Sequence, residues 1–534
     1  MKRNARPIAR RHRRRRRRGA VLLTVLIVIA LMTIGSAAYF EWTFTERRAT
    51  DMFGRQTQAR YAAESAVEYL RVFLAQDQTE IENDGGLYNN PAAFRGLTVL
   101  DDSAAALRCR ATVLAPNIDY GEYDGVRFGL ENESSRLNLN TLLSLDQVSD
   151  TAAREQLMGL PGMTEAIADA ILDWIDPDTQ PREFGAELTH YAALAPAYEP
   201  QNGPLESIDQ LLMVRDVTPA LLYGLDTNRD LLVTPADNGG VAVEGEDNND
   251  GQMNRGWSAY LTTYSAEREV DPEGEPKINV NMEDLEELHA QIEQKLGREE
   301  ANFIVAFRQS GPRDAGEVGG QTVRAQAVQI DFNSPAAVTI DNLLRLVGVQ
   351  VDVVQAGEND RQTIEAIFPA DPMQTSSYLP RLLDYLTVYS DPVAPGRLNI
   401  NQAPRSLLES VPGMPPEAVE SIIGNRDFEV GADRPDRRHA TWIMTEGYVT
   451  LEEMRTMMPF VTSGGDVYRA HVVGFFDEEG PRRRIEAVID ATQEAPLVLH
   501  QQDLSALGGG PAAADLGAGP PAQDAAGTPP AAGS

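Results

Sequence analysis

Cysteine is nearly absent from this chain. Cys109 is the only one among 534 residues, so no disulfide can form within the chain. Histidine is also sparse: the six residues are scattered without the spacing of metal ligands, and the sequence has no nucleophile elbow and no phosphate-binding glycine loop. The sequence therefore predicts no enzyme active site, and its fold must hold without covalent crosslinks.

Acidic residues are absent from the first 18 positions, which contain eleven lysines and arginines. The rest of the chain has 36 basic against 80 acidic side chains. Because a body of this charge repels the phosphate backbone, binding of nucleic acid is disfavoured. The acidic excess suits solubility at high local density, or the binding of divalent cations.

One uncharged run, from Ala20 to Phe40, is long enough as a helix to cross a hydrocarbon core of about 30 Å. Arginines crowd its first flank, whereas acidic and basic residues cancel on the second flank, residues 41–48. The positive-inside rule then places the N-terminus in the cytoplasm and the large body on the other side. A single-pass membrane protein is predicted.

The helical pattern continues past this run, with apolar residues at three- and four-residue steps from Ala59 to Leu74. This indicates one helix of roughly 80 Å from Ala20 to about Leu74, a shape typical of pilins. The junction of Gly19 and Ala20, after the basic leader, looks like the cleavage site of a type IV prepilin. Two alternatives are a secretory signal peptide cut after Ala38 and an anchor that is not processed.

Alternating patterns predict strands on both sides of a long central segment, at residues 107–113 and 125–130 and again at 466–476 and 482–491. We expect them to form one small antiparallel sheet on the long helix, interrupted in sequence by a mainly helical insert. Residues 507–534, which are rich in Gly, Ala and Pro, are predicted to be a disordered tail.

Within the insert a phrase recurs three times, at Arg136–Asn140, Lys277–Asn281 and Arg397–Asn401. Its alternating aliphatics predict a short strand, and its last Asn is expected to cap the helix that follows. Two copies then contain a tight Pro-Gly loop between helices, at residues 160–163 and 411–414, which resembles a helix-hairpin-helix. The middle copy keeps little of this motif. Acidic neighbours favour a structural role for the loops over phosphate binding.

The best candidate for ion binding is a segment with the oxygen-ligand spacing of a calcium loop: Asp226, Asn228, Asp230, Thr234 and Asp237. Leu231 stands where such a loop has Gly for its sharp bend, which weakens the match. Turns rich in Asp and Asn are also common without any ion, so an ordinary solvated turn is the alternative.

Two further acidic groups are weaker candidates. Glu246, Asn248 and Asp250 begin a second loop that has the glycine, Gly251, but ends near Trp257 and not at a bidentate Glu. The third group is Asp176, Asp178 and Glu187, whose simpler interpretation is a helix end followed by a polar turn, and we favour that interpretation.

The leader cut at Gly, the long helix and the insert with Asn-x-Asn strands and Pro-Gly hairpins together resemble the protein K family, the large minor pseudopilins of type II secretion. Further matching phrases are Ala170–Asp176, Gly185–Glu187 and Val217–Gly224. The resemblance covers most of residues 14–506, although this chain is longer than usual for the family. It implies an α+β fold: a pilin-like transmembrane helix with a small antiparallel sheet, plus an inserted, mainly helical region of helix-hairpin-helix (SAM-like) repeats.

The resemblance also implies a function. The chain would be an inner-membrane subunit with a periplasmic body that initiates or caps a pseudopilus and aids export of folded proteins. It implies cleavage by prepilin peptidase between Gly19 and Ala20, methylation of the new terminus, and calcium in the acidic region. Its partners would be the other minor pseudopilins, the major pseudopilin and the inner-membrane secretion platform.

Thr24 becomes the fifth residue after cleavage, where most pilins carry Glu, and this absence of charge predicts a position at the tip. Two alternative functions are a membrane-tethered receptor for DNA uptake that uses the hairpin loops, and a calcium-dependent adhesion or scaffold protein. The predicted segments are a leader (1–19), the helix (20–76), the first part of the sheet (77–135), the insert (136–460), the second part of the sheet (461–506) and the tail (507–534).

Overall fold

A computed structural model describes residues 18–145, 151–231, 255–313, 321–354, 361–431 and 434–518. The chain divides into two compact units, Met1–Gln58 and Ala59–Ser534. Helices and strands are mixed along the second unit, so the predicted α+β class is confirmed.

The helices are α1 (Arg18–Leu74), α2 (Gln78–Asn83), α3 (Pro91–Phe94), α4 (Leu142–Leu145), α5 (Ala152–Met158), α6 (Glu165–Ile175), α7 (Leu188–Tyr191), α8 (Pro219–Tyr223), α9 (Leu285–Lys295), α10 (Arg298–Ser310), α11 (Pro372–Tyr385), α12 (Arg405–Glu409), α13 (Pro416–Asn425), α14 (Trp442–Thr445) and α15 (Leu451–Met457). The strands are β1 (Leu97–Leu100), β2 (Cys109–Asp119), β3 (Glu122–Arg127), β4 (Glu131–Asn132), β5 (Leu137–Asn138), β6 (Leu261–Thr262), β7 (Ala266–Arg268), β8 (Ile278–Asn279), β9 (Gln321–Val323), β10 (Val351–Val354), β11 (Arg361–Ile364), β12 (Leu386–Thr387), β13 (Val393–Pro395), β14 (Leu398–Asn399), β15 (Val461–Thr462), β16 (Val467–Phe476), β17 (Arg483–Asp490) and β18 (Leu497–Asp503).

The first unit contains the N-terminal part of α1. Its side chains from Val21 to Ile34 are apolar almost without interruption, and the large ones are exposed. By length and composition, α1 is the one helix among the described residues that could cross a membrane. The predicted long apolar helix is present, and it begins at Arg18, two residues before the predicted start.

The main sheet of the second unit has the strand order β1-β2-β16-β17-β18, and each neighbouring pair is antiparallel. Its central pair joins β2, which precedes the insert, to β16, which follows it, as the sequence predicts. The C-terminal part of α1 packs on this sheet through Ala63, Val67 and Leu70. At Gly474 a Cβ atom would collide with the backbone of Ala59, so glycine permits this close approach.

The end of the chain differs from the prediction. Strand β18, which the alternation pattern did not reveal, pairs with β17 and forms an edge of the main sheet. The predicted disordered tail is wrong for its first part, because Leu516 is buried against Phe475 and accepts a hydrogen bond from the Thr112 hydroxyl to its backbone oxygen at 2.7 Å. A few apolar residues suffice to hold this segment despite its composition. Residues 519–534 lie outside the described residues.

The insert consists of three closed repeats. In each, the Asn-x-Asn strand pairs in parallel with a later two-residue strand: β5 with β6, β8 with β12, and β14 with β15. We call residues 136–265 the first repeat, 277–390 the second repeat and 397–463 the third repeat. The sequence Tyr-Leu-Thr occurs at Tyr260–Thr262 and Tyr385–Thr387, before the second and third Asn-x-Asn copies, and it contains the strands β6 and β12 that close the first and second repeats.

The predicted role of the last Asn in each phrase is wrong. The first Asn, not the last, accepts the backbone N–H two residues on, at 3.0 Å for Asn138, 2.8 Å for Asn279 and 2.9 Å for Asn399. This Asx turn is local, since the side chain reaches its own chain two residues ahead. The amide of the last Asn instead donates across the repeat, as from Asn140 to Leu205 and Thr263 carbonyls at 2.9 and 3.2 Å.

Each repeat contains, among its helices, one pair joined by a short turn: α5 and α6, α9 and α10, or α12 and α13. Gly162 between α5 and α6 has φ +67°, and Gly413 between α12 and α13 has φ +82°, a conformation that favours glycine. The second repeat, whose motif looked degenerate, still has the pair α9 and α10, with Phe303 and Phe307 buried. It also carries a small sheet of order β10-β11-β9 that the sequence pattern did not predict.

A buried ion network joins the first repeat to the main sheet. Arg136 pairs with Glu131, and Arg469 Nε lies 2.6 Å from Glu133 Oε1 while its Nη1 lies 2.7 Å from Glu486 Oε1. Burial alone would raise the pKa of Glu131, but the Arg136 guanidinium outweighs it and holds that pKa at about 2. The Glu131 and Glu486 carboxylates therefore stay charged, and the network ties the start of the first repeat to the main sheet.

Candidate metal centre

Three carboxylates meet at the end of the second helix of the first repeat. Asp176 directly follows α6, and its extended backbone turns the chain towards Asp178. Glu187 precedes α7 and accepts a hydrogen bond from the N–H of Leu188. One oxygen from each carboxylate lies within 4.8 Å of the other two. The residues do lie at a helix end and in the turn that follows, as the sequence predicts, but the structure also brings their carboxylates together.

Two of these carboxylates are buried and incompletely bonded. Asp176 is 7% exposed and Glu187 is 4% exposed, while Asp178 is exposed. Among the residues that the structure describes, Asp176 Oδ1 and Glu187 Oε1 have no hydrogen-bond partner, and neither has Oδ1 of Asn202. The Asn202 amide nitrogen donates to the Asp178 carbonyl, which holds its side chain beside the group. Buried oxygens without donors are costly unless a cation or water satisfies them.

The raised pKa values of these carboxyl groups also favour a bound cation. Burial raises the pKa of Asp176 to about 6, and the neighbouring Asp178 and Asp173 carboxylates add to the rise. Burial likewise raises the pKa of Glu187. The nearest described guanidinium, that of Arg182, has its Nε 4.0 Å from Asp176 Oδ2. Because hard divalent cations take several oxygen ligands, this donor set fits calcium.

Asp173, one turn earlier on α6, positions the loop that carries Glu187. Its carboxylate accepts a hydrogen bond from the Arg182 N–H at 3.1 Å, and burial raises its pKa to about 6. A Cβ atom at Gly185 would collide with the Asp173 carboxylate, so only glycine lets the backbone pass this closely. The phrase Gly185–Glu187 thus has a physical reason at this place.

The start of the predicted calcium loop is folded as a tight turn. The N–H of Asp230 donates to Asp226 Oδ1 at 3.0 Å and to Asn228 Oδ1 at 2.8 Å, so these two oxygens face one point. Leu231, which stands in the place of the expected glycine, has φ +65°. The backbone therefore makes the bend that such a loop needs, although leucine adopts it only with strain. Burial raises the pKa of Asp226.

The remaining predicted site residues are placed less completely. Thr234, Asp237, Glu246, Asn248 and Asp250 lie outside the described residues. Gly19, Ala20 and Thr24 all lie on α1, near its first turns. Trp174 and Trp257 are buried in the core, and the Trp257 indole N–H donates to the Pro161 carbonyl of the first hairpin loop at 2.8 Å.

Sequence reasoning undervalued the group at Asp176 and missed Asn202. The available signal was the short spacing of Asp176 and Asp178 directly after an amphipathic helix. Nothing in the local pattern indicated that Glu187 and Asn202 return to the same place, because that depends on the path of the loop between α6 and α7.

Comparison with known proteins gives one family match. Residues 135–227 match the family model described as "Type II secretion system (T2SS), protein K", and this range contains Asp176, Asp178, Glu187 and Asn202. No curated protein sequence matches the chain. A solved structure described as the GspK-GspI-GspJ complex from enterotoxigenic Escherichia coli is similar at 10% identity, over 86% of this chain and 98% of that chain, with a TM-score of 0.33.

Proposed function

Because this chain belongs to the protein K family of type II secretion systems, and is therefore a minor pseudopilin, we propose that it lies at the tip of the pseudopilus. There it starts or caps assembly and aids the export of folded proteins. The match of residues 135–227 supports this family, whose members are structural subunits. Among the described residues α1 is the one helix long and apolar enough to cross a membrane, and we infer that it anchors the chain in the inner membrane with the body in the periplasm.

The tip position is supported by Thr24. After cleavage between Gly19 and Ala20 this threonine would be the fifth residue, where the resemblance leads one to expect Glu. A buried carboxylate there would need the terminal amine of a neighbouring subunit, since an unpaired charge in the bilayer costs several kcal/mol. A subunit at the tip has no neighbour above it to supply that amine. The neutral Thr24 therefore suits the tip.

Crosslinking in assembled pseudopili tests the position. We expect this chain once per filament, at the end remote from the membrane and crosslinked to other minor pseudopilins. Repeated copies along the shaft would refute the tip position. Mass spectrometry of the mature N-terminus tests the processing: a start at Ala20 is expected, and Gly19→Ala should leave the leader attached. A start after Ala38 would mean a released protein instead.

We also propose that the first repeat binds calcium through Asp176, Asp178 and Glu187, with Asn202 at the rim. The support is the pair of buried, unbonded carboxylate oxygens, together with the burial and the charge repulsion that raise the pKa of Asp176. The loop that begins at Asp226 is a second candidate, favoured by the positive φ of Leu231. Bound calcium would neutralise the carboxylates and tie the end of α6 to the loop before α7. Equilibrium dialysis of the full chain with radioactive calcium, in the parent and in Asp176→Asn, measures this.

The helix pairs of the insert are best interpreted as structural helix-hairpin-helix units. In the third repeat the Glu420 carboxylate lies beside α12 and pairs with Arg405, and in the first repeat Asp169 pairs with Arg154 at 2.7 Å. Basic residues near these hairpins are thus already neutralised. A DNA-uptake receptor that used these loops would need basic residues free to contact phosphate. Retardation of DNA by the full chain at low salt would support that alternative function.

A further inference from the structure

Four aromatic side chains lie within six residues of α1, just where the uncharged run ends. Tyr39, Phe40, Trp42 and Phe44 are each between 60% and 65% exposed. The Tyr39 ring contacts the rings of Phe40 and Trp42, with centroid distances of 6.4 and 6.2 Å. We call these four residues the aromatic belt.

The belt is wider than a surface for one partner helix. At about 100° per residue, its four side chains spread over roughly 200° of the helix circumference. An apolar stripe that packs on one neighbouring element covers about 100°. Exposed rings over so wide an arc fit a surrounding medium better than a single protein partner.

The position of the belt along the axis matches a bilayer. From Ala20 to Tyr39 the helix rises roughly 29 Å, close to the hydrocarbon thickness of about 30 Å. The residues between them are uncharged, and Glu41, Glu46, Arg47 and Arg48 bring charge back at and beyond the belt. Apolar, aromatic and charged side chains thus follow one another as polarity rises from the bilayer core to the headgroups. Tyr and Trp favour that boundary, because each has an apolar ring and a polar N–H or O–H.

We propose that the aromatic belt lies in the outer lipid–water interface and holds α1 at one depth in the membrane. The partner is the headgroup boundary of the lipid. The opposite end of the span, at Arg18 to Ala20, then lies at the cytoplasmic interface, where cleavage would take place. The inference rests on the proposed function only in that α1 spans a membrane. It defines the resting depth from which the subunit is drawn into a filament.

Tryptophan quenching by brominated lipid measures that depth. The other three tryptophans, Trp174, Trp257 and Trp442, are buried in the second unit, so bromines in the acyl chains reach Trp42 alone. The full chain is placed in phosphatidylcholine vesicles with bromines either near the headgroup end or near the methyl end of the chains. We expect stronger quenching by the shallow bromines, and Trp42→Phe should abolish quenching by both.

A triple variant tests whether the rings hold the depth. Tyr39→Leu/Phe40→Leu/Phe44→Leu keeps the apolar character and the Trp42 reporter, and should lower the ratio of shallow to deep quenching by roughly twofold, since leucine prefers the core. The control Phe53→Leu, exposed on the same helix beyond the belt, should leave the ratio unchanged. An unchanged ratio in the triple variant, or deeper quenching in the parent, would overturn the belt. A chain that does not float with the vesicles would refute the membrane span as well.

Discussion

The first and third repeats have the same helix–turn–helix arrangement but treat the carboxylate after the second helix differently. Asp176 and Asp427 each lie thirteen residues after the Met of the Pro-Gly-Met loop. In the third repeat Asp427 Oδ2 lies 3.0 Å from Arg437 Nη1, and Arg437 also makes two bonds of 2.7 Å to Glu446. In the first repeat Asp176 faces Asp178 and Glu187. The same place is neutralised by a guanidinium in one repeat and, as we propose, by a cation in the other.

The position before this carboxylate changes with it. In the third repeat it is Arg426, whose Nη1 donates to the Ala403 carbonyl at 2.6 Å and so ties α13 to the chain after the Asn-x-Asn strand. In the first repeat it is Ile175, which is buried in the core. The fold of a repeat therefore tolerates exchange of its polar interior, provided that every buried charge keeps a partner.

The largest effect is expected when the ion pairs of Arg437 in the third repeat are removed. Arg437→Met removes the guanidinium, 9% exposed, that neutralises both Asp427 and Glu446. The free energy of unfolding should fall by about 3 kcal/mol, because two partly exposed carboxylates lose their charged hydrogen bonds to this guanidinium and keep only the longer contacts to Arg434. Urea unfolding with calcium and with chelator should give the same loss. Arg345→Met, which breaks an exposed pair with Asp341, should cost less than about 1 kcal/mol.

In the first repeat, the effect of removing the carboxylate should depend on calcium. Asp176→Asn should lower the free energy of unfolding by about 2.7 kcal/mol when free calcium is a hundred times its dissociation constant, since a ligand of the native state stabilises it by mass action. In chelator the variant should be at least as stable as the parent, because a repelled, buried carboxylate is gone. The matched variant Asp427→Asn keeps the first-repeat site, so its loss of stability relative to the parent should be the same in calcium and in chelator. Equal losses in both media for Asp176→Asn would mean that the carboxylate only supports the turn.

A carboxylate just after the third repeat should make the stability of the protein depend on pH. Asp466 accepts a hydrogen bond from the Arg268 N–H at 2.7 Å, and burial raises its pKa to about 6, helped by Glu267 and Asp490. Its pKa in the folded state lies above the unfolded value, so its contribution to stability is complete below pH 4 and is lost as the pH rises through 6. Asp466→Asn should therefore gain about 2 kcal/mol at pH 7.5 and almost nothing at pH 4.

Thermal or urea unfolding across that range measures this change. The exposed Asp391 provides the matched control, because Asp391→Asn should leave the pH profile of stability unchanged. A constant difference between Asp466→Asn and the parent at all pH values would show that the titration of Asp466 is not coupled to folding.

The smallest effects concern the two hairpin glycines. Gly162→Ala should cost about 1 kcal/mol, because alanine is strained at positive φ. Gly413→Ala should cost somewhat more, since its Cβ would lie 3.0 Å from Thr456 Cγ2. Adding Thr456→Ser, which removes that methyl group, should recover the excess only at Gly413. If the added change brings no recovery in unfolding free energy, the contact is not the cause.

Prediction from sequence worked where the signal is local and periodic. Strands β16 and β17 lie within one residue of the predicted boundaries, because strict alternation reports one buried face of a sheet. It failed where a role depends on distant backbone. The local pattern predicts a helix cap for the last Asn of each phrase, yet the Asn140 amide donates to carbonyls 65 and 123 positions away.

The candidate metal sites also differ in how far the sequence predicts them. Spacing alone drew attention to Asp226, Asn228 and Asp230, and their local turn could be anticipated. The sequence makes the group at Asp176 a weaker candidate for metal binding, because Glu187 and Asn202 reach Asp176 only through the path of an irregular loop. Burial, which decides the cost of an unsatisfied carboxylate, is a property of that arrangement and not of the residues themselves.

The amino-acid sequence by itself determined the membrane-crossing helix, the charge of the body, the strands on both sides of the insert and the threefold phrase, because each follows from composition or from a short period. Only the tertiary structure decided how the repeats close, that Leu516 packs on the sheet, and which carboxylates meet. Those outcomes depend on contacts between residues far apart in the chain. A free-energy balance of burial against pairing selects them, and no local pattern encodes it.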